Sequence, residues 1–275
     1  MSDPMPVERT MEMRNSVAMI PYANMAPYRQ LGPPDGCEWV SCSPQRSSVA
    51  LREGRVLAAA APVGDLPGLA DTVDTLGAFG IAAVGSVRSV LLFSDRPFDE
   101  MAAPARIEVT DQSATSVRLL FLLLGYRHGF DRLPLLARPG ERADGSLVIG
   151  DAALRRAMRN ESPHVTDLAT EWFRVHGLGV VFARWVIRRD APVALRDAMH
   201  RWLAELQERD DELLVASAPE EARRLGLSTD EMLHYLRGMK RVLGPEELRA
   251  QEVFLAELDR HERRPLFQPA GTEDR

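Results

Sequence analysis

The chain has 275 residues, of which 45% are hydrophobic and 27% charged, enough for one large domain or for two lobes with separate cores. Its formal net charge is −6 with both signs interspersed, which argues against nucleic acid or an anionic membrane surface as a partner. The sequence contains no recognisable signal peptide and no apolar run of membrane-spanning length. We therefore expect a cytoplasmic protein, monomer or homodimer, that binds a small molecule.

Short apolar segments alternate with helical ones over the first two thirds of the chain, between a predicted disordered leader at residues 1–14 and a frayed tail at 263–275. Continuous apolar runs of this length are typical of strands covered on both faces. The predicted strands are Val17–Pro21, Val56–Ala61, Val87–Phe93, Arg106–Val109, Leu147–Gly150 and Val180–Ile187. The predicted helices are Pro44–Arg52, Thr115–Tyr126, Ala152–Met158 and Leu168–His176. This alternating order predicts the α/β fold class.

The last third of the chain reads as helix alone. Asp190 is a candidate cap for a helix over residues 192–215, and Ser228 with Glu231 forms a capping box for a second helix. Gly244-Pro245 then opens a third helix, with proline at its first position. We expect these C-terminal helices to brace one lobe.

Standard catalytic motifs are missing from the sequence. It has no GxSxG, Walker loop, HExxH or strand-associated GxGxxG, and its six histidines lack metal-ligand spacing. The two cysteines, Cys37 and Cys42, fit neither a CxxC redox motif nor a zinc site and predict reduced thiols. Any chemistry is therefore expected to proceed without a metal or another cofactor.

Polar side chains at strand ends are the remaining candidates for a site, because α/β sheets bind ligands beyond the carboxyl ends of their strands. Asn24 lies in the loop after the first predicted strand, where its amide could face a cleft or form an Asx-turn. Ser86 and Ser89 precede or enter a very apolar strand, where a buried hydroxyl needs either a ligand or a backbone partner.

A second group of candidates lies at the starts of two predicted helices. Ser113, Thr115 and Ser116 follow a strand and begin a helix, an arrangement that suits a bound anion but is also compatible with ordinary capping. Gly150 and Asp151 form another strand-to-helix turn. Capping alone would explain Asp151, whereas Gly150 would permit either a close ligand approach or a sharp turn.

Read in order, these segments resemble the chorismate dehydratase family of the futalosine route to menaquinone. The matching stretches are PYANMAPY, GSVRSVLLFS, SATSVRLL, VIGDAALR and DLATEWFRVHGLGVVFARWVIRR, which span about residues 17–258. The resemblance implies a two-lobed type 2 periplasmic-binding-protein fold with a helical C-terminal brace. The two crossings would lie near Ser94 and Arg184, with residues 15–94 plus 184–262 in one lobe and residues 95–183 in the other.

The resemblance further implies a hydro-lyase that removes water from chorismate to give 3-[(1-carboxyvinyl)oxy]benzoate, with the substrate's own enolpyruvyl carboxylate as base. By motif matching, Asn24 and Ser89 fall on the family's catalytic asparagine and active-site serine. Thr115 and Ser116 fall on the helix-start pair expected to hold a substrate carboxylate. Ser86, Ser113, Gly150, Asp151 and Arg184 complete the predicted substrate-binding residues.

The sequence departs from the family pattern at three positions. Leu57 and Val84 stand where carboxylates are usual, and Arg184 stands where an apolar residue is usual. If these residues faced the cleft, the substrate could differ. The alternatives are therefore a divergent paralogue acting on a related carboxylate, or a non-catalytic small-anion-binding protein on the same fold.

Overall fold

The computed structural model describes residues 15–109, 114–138, 140–262 and 266–268. The strands of this part are β1 (Asn15–Met19), β2 (Cys37–Ser41), β3 (Ala58–Pro62), β4 (Val73–Ala83), β5 (Val90–Ser94), β6 (Arg106–Val109), β7 (Leu135–Leu136), β8 (Gly145–Ile149), β9 (His164–Asp167), β10 (Val180–Arg188) and β11 (Met239–Val242). The helices are α1 (Ala26–Leu31), α2 (Pro44–Arg52), α3 (Thr115–His128), α4 (Gly150–Arg159), α5 (Leu168–His176), α6 (Val193–Glu208), α7 (Asp210–Leu225), α8 (Thr229–Arg237) and α9 (Pro245–His261).

The strands form two separate sheets, which define two lobes. The first lobe contains a six-stranded sheet in the order β11-β4-β10-β3-β1-β2, and the second contains a five-stranded sheet in the order β7-β6-β8-β5-β9. β1 runs parallel to β2 and β3, whereas β10 is antiparallel to β3 and β4. The two-lobed α/β fold class predicted from the sequence is confirmed.

The chain crosses between the lobes earlier than the sequence indicated. Ser94 lies at the end of β5, which pairs with β8 in the second sheet, so the first crossing precedes Val90. Arg184 lies inside β10, which pairs with β3 in the first sheet, so the second crossing precedes Val180. The predicted crossings at these two residues therefore shift to the loops before the two strands.

The C-terminal helices begin where acidic, capping or proline residues favour a helix start. The single helix expected over residues 192–215 is two helices, because the acidic run that starts at Asp210 begins α7 with charges that favour a helix N-terminus. The capping box at Ser228 is confirmed, and so is the proline-initiated start of α9. These helices brace more than one lobe, since α7 also contacts α4 and α9 also contacts α3.

Part of the predicted frayed tail is packed. Phe267 is buried, and the Leu136 N–H donates to the Gln268 carbonyl at 3.0 Å, beside β7. The predicted leader lies outside the described residues. Within the described ranges, no helix is long and apolar enough to span a membrane.

The half-buried histidine His176 predicts how stability depends on pH. The His176 ring stacks on Trp172 and its Nε2 is buried without a partner among the described residues, so burial lowers the pKa of His176 although Glu257 opposes that shift. The unfolded chain then takes up a proton near pH 6.5 that the folded protein does not bind. The stability that depends on neutral His176 should be fully present above about pH 6.5. It should decrease as the pH falls towards the lower pKa that His176 has in the folded protein.

His176→Gln should make this loss of melting temperature between pH 7 and pH 5 shallower than in the wild type. The exposed residue His200 on α6 supplies the control variant His200→Gln, which should leave the slope unchanged. Equal slopes for the wild type and His176→Gln would contradict the assignment.

Candidate functional site

One cavity lies between the two lobes and takes its walls from both sheets. About 610 Å³ of space free of protein atoms lies between its walls, counting the part open to solvent. Its lining residues are Ile20, Tyr22, Asn24, Pro44, Ala60, Pro62, Ile81, Val87, Ser89, Val90, Ala114, Thr115, Ser116, Ile149, Gly150, Phe182, Ala183 and Met239.

The described part of the cavity wall is uncharged. It includes no aspartate, glutamate, lysine, arginine or histidine, and its polar groups are hydroxyls, one side-chain amide and backbone atoms. A carboxylate-bearing ligand here would be held by hydrogen bonds from neutral donors. Among the described lining residues, none therefore offers a carboxylate or an imidazole as a proton acceptor.

Asn24 enters this wall from the loop that follows β1. It lies in the 3-10 turn Ala23–Met25, which leads directly into α1, whose first turn contains Pro27. Its Oδ1 is buried and has no hydrogen-bond partner among the described residues. A buried acceptor without a donor is costly, and a ligand hydroxyl would satisfy it.

Ser89 enters from the opposite lobe, immediately before β5. Its side chain is 4% exposed, and its carbonyl accepts the Gly150 N–H at 2.7 Å. The preceding residue, Arg88, has φ 63°, a left-handed conformation that is uncommon for a residue with a side chain. The Ser89 hydroxyl donates only a long 3.4 Å bond to the Val87 carbonyl. This weak bond leaves the hydroxyl able to turn towards a ligand.

Ser86, in contrast, does not line the cavity. Its exposed hydroxyl donates to Asp167 Oδ2 at 2.8 Å, and the same oxygen accepts the N–H groups of Val87 and Arg88 at 3.0 and 2.7 Å. The other oxygen, Oδ1, caps α5 through the N–H groups of its first turn. Asp167 therefore holds the loop that presents Ser89, and Ser86 contributes to that loop.

Thr115 and Ser116 both line the cavity at the start of α3, as the sequence suggested. The Thr115 hydroxyl accepts the Gly64 N–H at 3.2 Å and donates to the Phe182 carbonyl at 2.9 Å. It therefore joins α3 of the second lobe to two segments of the first lobe. Ser113, predicted with this pair, lies outside the described residues.

Gly150 lines the cavity, whereas the neighbouring Asp151 does not. Gly150 has φ 61°, and a Cβ added there would lie 2.8 Å from ring atoms of Tyr22, so the glycine permits a close approach between the lobes. Asp151 is buried and accepts the Ala23 N–H at 2.8 Å. It lies behind the wall, where it contacts protein groups.

Arg184 is also placed away from the cavity. Its guanidinium donates to the carbonyls of Phe79 and Gly77 and to Gln251 of α9, at 3.2, 2.5 and 3.0 Å. Arg184 is not among the residues that line the cavity, whereas its neighbours on β10, Phe182 and Ala183, are. The other two departures from the family pattern are elsewhere too: Leu57 is buried in the core and Val84 is 48% exposed.

Three residues near the site were missed by sequence reasoning. Asp167 could have been found, because an acidic residue directly before a helical run is a typical N-cap. Arg224 and Tyr235 carry no comparable local signal, since they lie on amphipathic helices far along the chain. Tyr235 is 3% exposed and its hydroxyl has no hydrogen-bond partner among the described residues.

A family model described as menaquinone biosynthesis matches residues 15–260 of the chain. The chain belongs to this menaquinone-biosynthesis family. The match covers both lobes, the cavity between them and the C-terminal helices, so the family assignment applies to the whole site.

A chorismate dehydratase of Thermus thermophilus is 37% identical over 194 residues, covering 60% of this chain and 66% of that protein. The chain therefore matches slightly less than two thirds of this relative. Among solved structures, a protein of Archaeoglobus fulgidus is 17% identical with a TM-score of 0.65, covering 91% of this chain and 98% of that one. The alkanesulfonate-binding protein SsuA of Xanthomonas axonopodis pv. citri, bound to MOPS, is 16% identical with a TM-score of 0.61, covering 93% and 98%.

A Candida albicans protein described as having the generic periplasmic-binding-protein fold is 14% identical with a TM-score of 0.56, covering 90% of this chain and 94% of that one. At these identities the structural neighbours define the fold alone. This member of the menaquinone-biosynthesis family has the periplasmic-binding-protein-like fold, with helices at its C-terminus.

Proposed function

We propose that this protein is a chorismate dehydratase, a hydro-lyase that converts chorismate to 3-[(1-carboxyvinyl)oxy]benzoate in menaquinone biosynthesis. The observation that carries the proposal is the uncharged cavity between the lobes, in which Asn24 and Ser89 enter from opposite sides. The family membership and the 37% identity to the Thermus enzyme support the same reaction. The SsuA likeness, at 16% identity, supports only the fold.

The proposed step is an elimination between adjacent ring carbons. The ring C–H bond next to the ether oxygen breaks and its proton passes to the enolpyruvyl carboxylate of the substrate. The electron pair forms the new ring double bond, and the C–O bond of the neighbouring hydroxyl breaks. The departing oxygen takes up the proton that the carboxylate removed, so it leaves as water and the carboxylate is restored. The ring becomes aromatic, so the elimination is strongly downhill and needs no oxidant or reductant.

The protein's part in this step is to fix geometry and to supply neutral donors. The Asn24 Oδ1, which has no donor among the described residues, would accept the hydrogen of the substrate hydroxyl. The amide NH₂ beside it would donate to the carboxylate that takes the proton. Ser89, from the other lobe, would donate to the departing oxygen.

The three departures from the family pattern do not argue for a different substrate. Leu57, Val84 and Arg184 are not among the residues that line the cavity, so their side chains do not change its chemistry. This placement favours chorismate itself over a related carboxylate.

The deciding experiment is incubation of the purified protein with chorismate, with and without EDTA, followed by absorbance and mass measurement of the product. We expect the mass to fall by one water, an aromatic spectrum to appear, and the rate to be the same with chelator. Chorismate that stays unchanged at high protein concentration would refute the proposal. Loss of turnover in EDTA, restored by one metal ion, would refute the cofactor-free reaction.

Tyr235 supplies a prediction about Ser89. Burial raises the pKa of the Tyr235 hydroxyl and the nearby Ser89 side chain lowers it, although no hydrogen bond joins the two hydroxyls in the described structure. A tyrosine hydroxyl that hydrogen bonds to Ser89 during the reaction would orient it and strengthen it as a donor. Tyr235→Phe should therefore lower kcat by about tenfold, which corresponds to roughly 1.4 kcal/mol.

Tyr28→Phe is the matched control for this variant. The Tyr28 hydroxyl is also fully buried without a hydrogen-bond partner among the described residues, but its ring packs against Trp185 and Trp202 in the core. Both variants should keep the wild-type melting temperature, and only Tyr235→Phe should change kcat. Equal kcat values in the two variants would show that the Tyr235 hydroxyl takes no part in the reaction.

A further inference from the structure

The Asp151 carboxylate connects three elements behind the cavity wall. Asp151 lies in the first turn of α4, in the second lobe, and is 6% exposed. Its Oδ1 accepts the Ala23 N–H at 2.8 Å, and its Oδ2 pairs with Arg224 of α7 at 2.6 Å. Because Ala23 follows β1 of the first lobe, this carboxylate spans the interface between the lobes.

The ion pair continues as a chain of alternating charges. Arg224 Nε donates to Glu221 Oε2 at 2.8 Å, and the other carboxylate oxygen of Glu221 pairs with Arg29 of α1. Arg29 in turn donates through Nη1 to the Tyr22 carbonyl at 2.9 Å. This series of charged side chains therefore ends at the loop after β1, the same loop at which it began.

The two ends of this chain hold a single peptide group. The Tyr22 carbonyl and the Ala23 N–H belong to one peptide bond. Its N–H is held by Asp151, and its oxygen by Arg29 together with the Met25 N–H of the same turn at 3.0 Å. We call the closed set of Asp151, Arg224, Glu221, Arg29 and the Tyr22–Ala23 peptide the interlobe ring. The next residue after that peptide is Asn24, whose backbone orientation the ring therefore sets.

We infer that Asp151 is a positioning residue that acts through Asn24, and that it does not bind substrate. The ring closes only when α4 of the second lobe meets the loop after β1, so Asn24 acquires its final orientation at the same time as the cavity closes. Both Asp151 oxygens are used by protein groups, and the buried carboxylate needs both partners. This inference rests on the proposed function for its catalytic consequence, but the ring itself can be tested in the free protein.

Asp151→Asn is the informative variant, because it keeps the size of the side chain and an acceptor for Ala23 while removing the charge that pairs with Arg224. We expect kcat on chorismate to fall about 10- to 100-fold with KM changed less than about threefold, as expected when a reacting group is misplaced by a fraction of an ångström. Asp211→Asn removes a carboxylate that pairs with Arg237 elsewhere on α7, and it should leave both constants unchanged.

A double-mutant cycle separates positioning from a general structural role. If Asp151 acts through Asn24, Asp151→Asn should cost little further kcat in an Asn24→Ala background, so the two effects should be strongly non-additive. An equal fold loss in both backgrounds would overturn the inference. Melting temperatures of all variants show that the proteins compared are folded.

Hydrogen exchange of the free protein tests the ring without substrate. Asp151→Asn should speed deuterium uptake in the peptide that contains the Ala23 amide, whereas Asp211→Asn should not. Unchanged uptake at Ala23 would overturn the inference even if kcat falls. If wild-type protein fails to turn over chorismate, the proposed function fails, and faster uptake in Asp151→Asn would still support the ring.

Discussion

Asn24→Asp should abolish nearly all turnover of chorismate while leaving the protein folded. The substitution preserves shape but replaces the amide donor with an anion, in a cavity whose described wall offers no cation to balance it. Loss of one preorganised donor typically costs about 10²–10³ in rate, the loss we expect for Asn24→Ala. The introduced negative charge would also repel the two carboxylates of the substrate, so the loss should exceed that range.

The pH dependence of this variant gives a sharper test than its rate at one pH. A carboxyl group surrounded by apolar and neutral polar groups should have a raised pKa, because burial disfavours its charged form. As the pH falls through that raised pKa, the group becomes a neutral acid that can donate again, so part of the lost activity should return. Asn160→Asp, at an exposed position at the end of α4, is the control and should behave as wild type. Near-normal kcat and KM in Asn24→Asp would remove Asn24 from the reaction.

Gly150→Ala should have the second-largest effect, a fall in kcat/KM of at least about 100-fold, comparable to a 1 Å misplacement of reacting groups. A Cβ at this position would lie 2.8 Å from Tyr22, whose ring belongs to the opposite lobe and lines the cavity. The methyl group would therefore push the lobes apart at the point where Asn24 and Ser89 must meet the same substrate.

Gly177→Ala separates this contact from backbone strain. Gly177 has φ 65°, close to the φ 61° of Gly150, but an added Cβ there meets nothing within 4 Å. Both variants carry the cost of a left-handed alanine, about 1–2 kcal/mol. Only Gly150→Ala should lose activity, which steady-state kinetics and melting temperatures of the pair would show. Equal kinetic losses would mean that strain alone limits the enzyme.

The elements that were predicted well have local signals at both ends. The predicted bounds of α2, α5 and β6 agree with the structure, and α5 begins just after its capping aspartate, Asp167. In contrast β4, the longest strand of the first sheet, was missed because Gly77 and Gly80 interrupt it. The structure shows why the glycines are there: a Cβ on Gly80 would lie 2.5 Å from the Ala183 carbonyl, and Gly77 has φ 53°. Glycine lowers the strand signal where close packing and irregular register demand it.

Residues of the candidate site could be predicted from the sequence only where they lie beside the end of a predicted strand. Asn24, Ser89, Thr115, Ser116 and Gly150 line the cavity, because loops after or before buried strands of both lobes converge there. Which partner a polar side chain finds is decided by residues far along the chain. Ser86 bonds to Asp167 and Asp151 pairs with Arg224, and no local pattern at Ser86 or Asp151 indicates those partners.

The uncharged wall of the cavity also determines how a ligand arrives. A site without formal charges on its described lining exerts little long-range attraction, and the chain as a whole carries a net charge of −6 that would oppose an approaching dianion. Capture therefore depends on ordinary diffusion and on hydrogen bonds formed at contact, without electrostatic steering. Added salt screens only the weak general repulsion, so association should be nearly independent of ionic strength, or slightly faster as it rises.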